Sequence, residues 1–391
     1  MSVKARSIMC AAATAALFAI TAAAQVSKLG AVGDSLTDEY FDDTFTYAKN
    51  WTIQLVQYRG VDMGETAAQA GEAGGTWGEP RRTGYAYNWA RYGADSTTIA
   101  TEGQYTGLVS QVAPGGVTHC VMEIGTNDFS PTTSAYLSIY LGLWSQSQIS
   151  SYVSTSVANI ESGVDALLAS GVNLALCNYV DFGVAPATRQ VFSSASSRTR
   201  VTTVIAQVNQ GVELIARRHH LVLIDLNSMA TTIFGTNSSL RQFLSIGNVN
   251  IQLMNKDTTT NTNPLAGFVD DGAHPHTTLQ GVFANLIMSA LNERWNAGYA
   301  LFTDQEILSH AGVAYGGSDT LAGQIGPYTG YFRDFSCLGN FNGTGGVTVQ
   351  DIFDFLAAWF ANDPRADVDQ SGTVTVQDIF TFLTAWFAGC H

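Results

Sequence analysis

Positive charge is scarce in this chain: 18 Lys and Arg stand against 32 Asp and Glu, for a formal net charge of −14. A surface so acidic repels phosphate backbones and anionic headgroups, which sets aside nucleic acid and anionic membrane as partners. Long apolar runs are missing as well. Beyond the first twenty-five residues, no stretch reaches the roughly 18 uninterrupted apolar residues that a bilayer crossing takes, so no integral membrane body is expected. Cysteine is sparse, with five in 391 residues. What is plentiful is apolar content, 46% of a chain long enough for one large domain and one small one with a real core.

The amino terminus, "MSVKARSIMCAAATAALFAITAAAQ", sets Lys4 and Arg6 ahead of a short apolar run and Ala22-Ala23-Ala24 ahead of Gln25. This pattern predicts a secretory signal over residues 1–24, cleaved after Ala24, and a mature protein that is secreted, periplasmic or held at the cell surface. Loss of Lys4 and Arg6 takes the charge from −14 to −16. Cys10 leaves with the signal, so Cys120, Cys177, Cys337 and Cys390 remain in an oxidising compartment. Cys120 and Cys177 lie in apolar, strand-like runs and read as buried small hydrophobes. Cys337 and Cys390 bracket the C-terminal segment, and a bridge between them would stabilise it by roughly 4 kcal/mol through loop-closure entropy.

Short apolar runs at 26–33, 117–124, 172–180 and 220–226 read as buried strands. Between them, Val153, Val157, Ile160, Val164 and Leu167 recur at helical spacing before Gly171, and Val201, Val204, Ile205, Val208, Val212 and Ile215 do the same. Strands alternating with helices over nearly 300 residues predict an α/β fold with a parallel sheet covered on both faces, and reactive loops at the carboxyl ends of its strands.

Four peptides fall at such ends: "GDSL" at 33–36, "NWARYGADS" at 88–96, "GTND" at 125–128 and "DDGAHPHTTLQG" at 270–281. Each alone is ordinary cap or turn chemistry. Together they hold what acyl transfer needs. A serine hydroxyl attacks only when a base takes its proton, and an imidazole is that base when a carboxylate fixes its tautomer. Ser35, His274 and Asp271 fit those parts, with Asp270 as the alternative carboxylate. A tetrahedral oxyanion needs donors, and the N–H groups of Ser35 and Gly93 and the amide of Asn127 fit that part. No Gly-x-Ser-x-Gly elbow occurs, which disfavours the α/β-hydrolase arrangement.

These four blocks resemble those of the SGNH/GDSL esterases, over about residues 26–298. The resemblance implies a flavodoxin-like three-layer α/β/α fold. It implies Ser35 as nucleophile, His274 as base, Asp271 as its orienter, and Ser35, Gly93 and Asn127 as the oxyanion hole. No cofactor is then needed for catalysis. Substrates of such enzymes run from lipids to O-acetylated sugars, so an ester substrate is implied, with acetylated polysaccharide one class. A lipase of the same fold and a non-catalytic surface-binding protein are the competing functions. Near Gly93, Trp77, Tyr85, Tyr87, Trp89 and Tyr92 offer faces for sugar rings and Arg81 or Arg82 a charge for an acidic sugar, unless these side chains brace a loop.

The C-terminal segment repeats itself: "GGVTVQDIFDFLAAWFA" at 345–361 returns as "GTVTVQDIFTFLTAWFA" at 372–388. Before the second copy, Asp367, Asp369, Ser371, the Thr373 carbonyl, Thr375 and Asp378 occupy positions 1, 3, 5, 7, 9 and 12 of a calcium loop, with Gly372 at its sharp turn. The first loop places Asn340, Asn342, Thr344, Thr348 and Asp351 there, leaving a single carboxylate. The repeat resembles a dockerin, and its "GCH" ending resembles the GC-ending dockerin-like anchors of planctomycete exported proteins. That resemblance implies a small all-α domain over 337–391 holding structural Ca2+, and a cohesin-like or cell-surface partner. The sets Ile352, Phe355, Leu356, Trp359 and Ile379, Phe382, Leu383, Trp386 predict two helices that bury against each other. The expected division is a signal at 1–24, a hydrolase domain at 25–300, an extension or connector at 301–336 and the repeat at 337–391.

Overall fold

The computed structural model describes residues 26–42 and 44–390, so the expected signal at 1–24 lies outside the described residues. Four parallel strands, β1 (Leu29–Gly33), β2 (His119–Glu123), β3 (Asn173–Cys177) and β4 (Val222–Ile224), stand side by side in chain order. Their register sets Leu29 opposite His119 and Gly33 opposite Glu123. A fifth strand, Phe332–Asp334, joins β4 antiparallel. Among the described residues, no regular strand forms on the other side of β1. Residues 87–89 run there instead, with the Ala31 N–H donating to the Tyr87 carbonyl at 3.0 Å and the Trp89 N–H to the Ala31 carbonyl at 2.8 Å.

Alternation along the strands builds two cores, because successive side chains leave opposite faces. Leu29, Ala31, Val121, Ala175, Cys177, Val222 and Ile224 face α1 (Trp51–Arg59) and α4 (Thr277–Trp295). Val32, Cys120, Met122, Leu174, Leu176 and Leu223 face α2 (Gln146–Leu168) and α3 (Ala195–Arg218). The result is a three-layer α/β/α sandwich. The periodicity read over 152–170 covers all but the first six residues of α2, which begins at Gln146 because Ser145 and Gln148 form a reciprocal cap. Cys120 and Cys177 are both buried and free, on opposite faces of the sheet.

Residues 301–336 complete this body. Ile307, Leu308, Leu321, Ile325 and Phe332 enter the same core as α4, and the sheet gains its last strand from this segment. A three-stranded sheet of Phe243–Ile246, Val249–Lys256 and Ala266–Phe268, which periodicity did not predict, covers the same core with Leu244, Ile246, Ile251 and Leu253.

The repeat folds as two helices, α5 (Val349–Phe360) and α6 (Val376–Ala388), around stacked Phe355 and Phe382 rings 4.3 Å apart. The two copies exchange equivalent bonds. Trp359 Nε1–H donates to the Thr375 carbonyl at 2.7 Å, and Trp386 Nε1–H to the Thr348 carbonyl at 2.8 Å. Cys337 and Cys390 are bridged. The unit leans on α3, whose Arg217 donates to the Phe341 carbonyl at 2.8 Å with its guanidinium over the Phe335 and Phe341 rings. Among the described residues, no helix is long and apolar enough to cross a membrane.

Candidate active site

The carboxyl end of β1 cannot accept a side chain at Gly33: a Cβ there would sit 2.2 Å from the Glu123 carbonyl of β2. With the strands that close, the Asp34 N–H donates to the same carbonyl, and the chain curls into a turn as the Thr37 and Asp38 N–H groups return to the Asp34 carbonyl. Ser35 stands on this turn, 6% exposed. Asn88 and Asn50 hold the turn from outside, each donating to the Thr37 carbonyl. Tyr40 ties it to a loop 235 residues further along the chain, its hydroxyl donating to the Pro275 carbonyl at 2.9 Å.

Across that tie lies His274. Its Nε2 is 2.6 Å from Ser35 Oγ although the two residues are 239 positions apart. Its Nδ1 is 2.5 Å from Asp271 Oδ2. Asp271 Oδ1 accepts the N–H groups of Ala273 and His274 at 2.8 and 3.0 Å, which fixes the carboxylate before it meets the imidazole. Burial pushes the Asp271 carboxyl up, but the hydrogen bond and charge of His274 together with these N–H groups outweigh it and hold it below the usual carboxylate range. Asp270, the alternative orienter, instead accepts the Tyr47 hydroxyl at 2.7 Å. Serine, imidazole and carboxylate thus form one continuous chain, which can pass a proton from Oγ to the ring and hold the resulting cation.

Gly93 adopts a positive φ of 82°, which carries no penalty for a residue without a Cβ. Among the described residues, neither its N–H nor that of Ser35 has an acceptor. Asn127 donates one amide hydrogen to the Ala94 carbonyl at 2.9 Å, which orients the group and leaves its second hydrogen over. Asp128 beside it is structural, accepting the Ser96 N–H and the Tyr179 hydroxyl at 2.9 and 2.8 Å.

Of the aromatic and basic residues near Gly93, most brace the loop. Arg81 lies over both Trp77 and Trp89 and donates to the Ala86 carbonyl, and Tyr85 is buried. Tyr92 differs, being 45% exposed with its ring 5.7 Å from that of His274. Phe45 packs on His274 at 5.2 Å.

Sequence reasoning passed over three features here. Asp38, Glu39 and Asp42 are buried and accept the backbone N–H groups of Tyr92, Tyr85 and Thr83, stapling the Ser35 turn to the Gly93 loop. Asp34 and Glu123 lie buried behind Ser35. His276 pairs with Asp257 at 3.1 Å with both side chains fully buried, while its Nδ1 accepts the Thr277 N–H at the start of α4. Burial lowers the His276 pKa, and this second Asp–His pair is a structural one. Carboxylates packed into "TDEYFDD" were the available signal for the first feature. Nothing local announced the others.

In the repeat, one oxygen from each of Asp367, Asp369 and Asp378 comes within 4.8 Å of the others. The donors are carboxylates on a turn, which suits a hard cation. Ser371 Oγ and the Thr373 carbonyl lie in the same loop, 3.1 Å apart, and the Thr375 N–H and hydroxyl donate to Asp378 Oδ2. In the first loop Asp351 caps Asn342 and Thr348 in the same way, and Thr344 donates to Asn342. Asn340 Oδ1 is buried there with no partner among the described residues.

A family model described as GDSL-like Lipase/Acylhydrolase matches residues 29–287. No curated protein sequence matches the chain. Solved structures that resemble it include a putative acylhydrolase from Bacteroides fragilis, at 14% identity over 69% of this chain and 88% of that one with a TM-score of 0.38. A GDSL-like lipase from Bacteroides thetaiotaomicron follows at 13% identity over 68% and 88%, with a TM-score of 0.37. A catalytic mutant of an acetylxylan esterase from Geobacillus stearothermophilus matches at 13% identity over 71% and 96%, with a TM-score of 0.39. Likeness at this distance bears on neither substrate nor mechanism.

Proposed function

Since this chain belongs to the GDSL-like lipase/acylhydrolase family and is a carboxylic ester hydrolase, we propose that it is an exported serine esterase working through Ser35, His274 and Asp271. The observation that carries this reading is the unbroken hydrogen-bond chain, 2.6 Å from Ser35 to His274 and 2.5 Å from His274 to Asp271. In the reaction, Ser35 Oγ attacks the ester carbonyl as its proton passes to His274 Nε2, and Asp271 stabilises the imidazolium. The oxyanion accepts hydrogen bonds from the Ser35 and Gly93 N–H groups and the free hydrogen of Asn127. Collapse breaks the C–O bond, and the departing alkoxide takes the proton from His274. Water then repeats the sequence on the acyl-enzyme, releasing the acid and regenerating Ser35.

The substrate class we propose is the O-acetyl group of a carbohydrate, with Tyr92 beside His274 as the exposed ring available to the sugar. A panel of esters of increasing chain length set against acetylated oligosaccharides tests it. Preference for long acyl chains would replace this reading with a lipase. The mechanism is tested by Ser35→Ala, which abolishes hydrolysis of a small acetyl ester with the melting temperature retained. Near wild-type activity in that variant would leave a surface-binding protein as the better reading.

The C-terminal unit is proposed as a dockerin-like module that binds structural calcium through Asp367, Asp369, Ser371, Thr373, Thr375 and Asp378 and attaches the enzyme to a cohesin-like or cell-surface partner. Two features support it: the convergent carboxylates, and exposed apolar residues that recur at equivalent repeat positions, Phe353 with Phe380 and Phe360 with Phe387. Export is supported by the N-terminal pattern and by the Cys337–Cys390 bridge, which suits an oxidising compartment.

A further inference from the structure

Two carboxyls behind Ser35 take no part in the chemistry above. Glu123 ends β2 opposite Gly33, Asp34 follows on the turn with its N–H 3.2 Å from the Glu123 carbonyl, and the two carboxyls lie within hydrogen-bond reach of each other. Each is 1% exposed. One oxygen of each is accounted for. Asp34 Oδ1 accepts the Leu36 N–H at 3.0 Å. Glu123 Oε2 accepts the Thr37 hydroxyl at 3.0 Å, and the Thr37 oxygen takes the Trp51 indole N–H at 3.2 Å. The other two oxygens, Asp34 Oδ2 and Glu123 Oε1, are buried with no partner among the described residues.

Neither carboxyl has an ion pair with Lys or Arg among the described residues. The titratable groups facing them are His274 and Asp128 toward Asp34, with Tyr40 and Cys177 toward both. Adjacent carboxylates stripped of water and of a cation do not both ionise, and one keeps a proton. We propose that Asp34 and Glu123 share a single proton, Glu123 Oε1–H donating to Asp34 Oδ2, and that this bond positions the Ser35 turn. The proposal rests on Ser35 being the nucleophile.

The direction of donation follows from the surroundings. Burial raises both carboxyls, and the Asp34 charge raises Glu123 further, whereas the Leu36 N–H and His274 favour the ionised form of Asp34. The pair carries one negative charge in all. That charge sits next to Ser35, and the carboxylate holding the Leu36 N–H is held in turn by Glu123. Loosening it tilts the peptide that presents Oγ and the Ser35 N–H, which harms the transition state more than substrate binding.

The test uses the full chain and two readouts. The infrared difference spectrum between wild type and Glu123→Gln at about pH 8 shows the carbonyl stretch of a protonated carboxylic acid, lost in the variant. Because the glutamine amide also donates to Asp34, Glu123→Gln keeps kcat within about threefold, while Glu123→Ala lowers it about tenfold or more with KM within about twofold. Absence of that band, or a Glu123→Gln variant as impaired as Glu123→Ala, overturns the proposal. If Glu123→Ala does not fold, the infrared band and the Glu123→Gln rate decide. Ser35→Ala retains the band, so failure of the nucleophile assignment shows separately as surviving activity in that variant.

Discussion

Two trios of acidic residues in this protein have the same outline and opposite character. Asp38, Glu39 and Asp42 beside the Ser35 turn, and Asp367, Asp369 and Asp378 in the second repeat loop, each bring one oxygen per residue within 4.8 Å of the others. The first trio is wholly buried. Burial drives Asp38 up to about 7 and Glu39 well above the usual range. In the second trio Asp369 is held below the usual range by the Ser371 hydroxyl. Spacing of carboxylates therefore does not say what neutralises them. Away from water, backbone N–H groups, protons and the Arg91 guanidinium 3.7 Å from Asp38 do so, and the acids become staples. On a turn that leaves Asp367 and Asp369 partly exposed, the carboxylates are available to a hard cation.

If the two regions are chemically separate, the largest effect belongs to the first. His274→Ala lowers kcat by about 10^4 or more, whereas calcium chelation leaves kcat within about twofold. A chelated enzyme as inactive as His274→Ala would join the regions. Next in size, Asn127→Ala reduces turnover by about 10^2 to 10^3 with little change in KM, since its free amide hydrogen meets charge that exists only in the transition state. Unaltered turnover removes Asn127 from the oxyanion hole.

Calcium separates the trios more finely. Binding to the folded form raises the melting temperature by mass action, and Asp367→Ala removes most of that gain while Asp42→Asn and Asn340→Ala preserve it. Calorimetry in calcium and in chelator decides, and a gain that vanishes with Asp42→Asn would move the cation to the buried trio. The smallest effect is a pH trend. Asp34 and Asp38 have folded pKa values of about 6 and about 7, above the ordinary value of 3.8. Between 3.8 and about 7 the folded form binds more protons than the unfolded one, so stability is greatest on the acid side of that window and falls as pH rises through it. A melting temperature that climbs from pH 5 to pH 7 contradicts the trend.

Part of the site was legible because Ser35 and Asn127 follow β1 and β2, apolar runs that lead to a glycine, whereas the Gly93 loop follows no strand and the Asp271–His274 loop follows a strand that was not expected, so both were found from their residue types alone. Runs at 26–33, 117–124, 172–180 and 220–226 became β1 to β4, trimmed by a few residues where loops begin. The sheet formed by residues 243–268 was missed although Val249, Ile251 and Leu253 alternate with polar residues and Gly247-Asn248 makes the turn between its first two strands. Residues 301–336 lack a clear period: they are held by contacts with α4 and the rest of the core, not by a pattern of their own.

By itself the sequence determined which residues were available to this site, the twenty-seven-residue repeat with the acidic residues of its loops, and the net negative charge. These are properties of composition and spacing, which chain order preserves. Only the tertiary structure decided that Asp271 and not Asp270 meets His274, that His274 and not His276 reaches Ser35, and that Arg81 and Trp89 brace a loop. It also decided that one cluster of acids is wholly buried and another only in part. Neighbouring residues of the same type differ only in direction and exposure, and both are set by what packs against them from far along the chain.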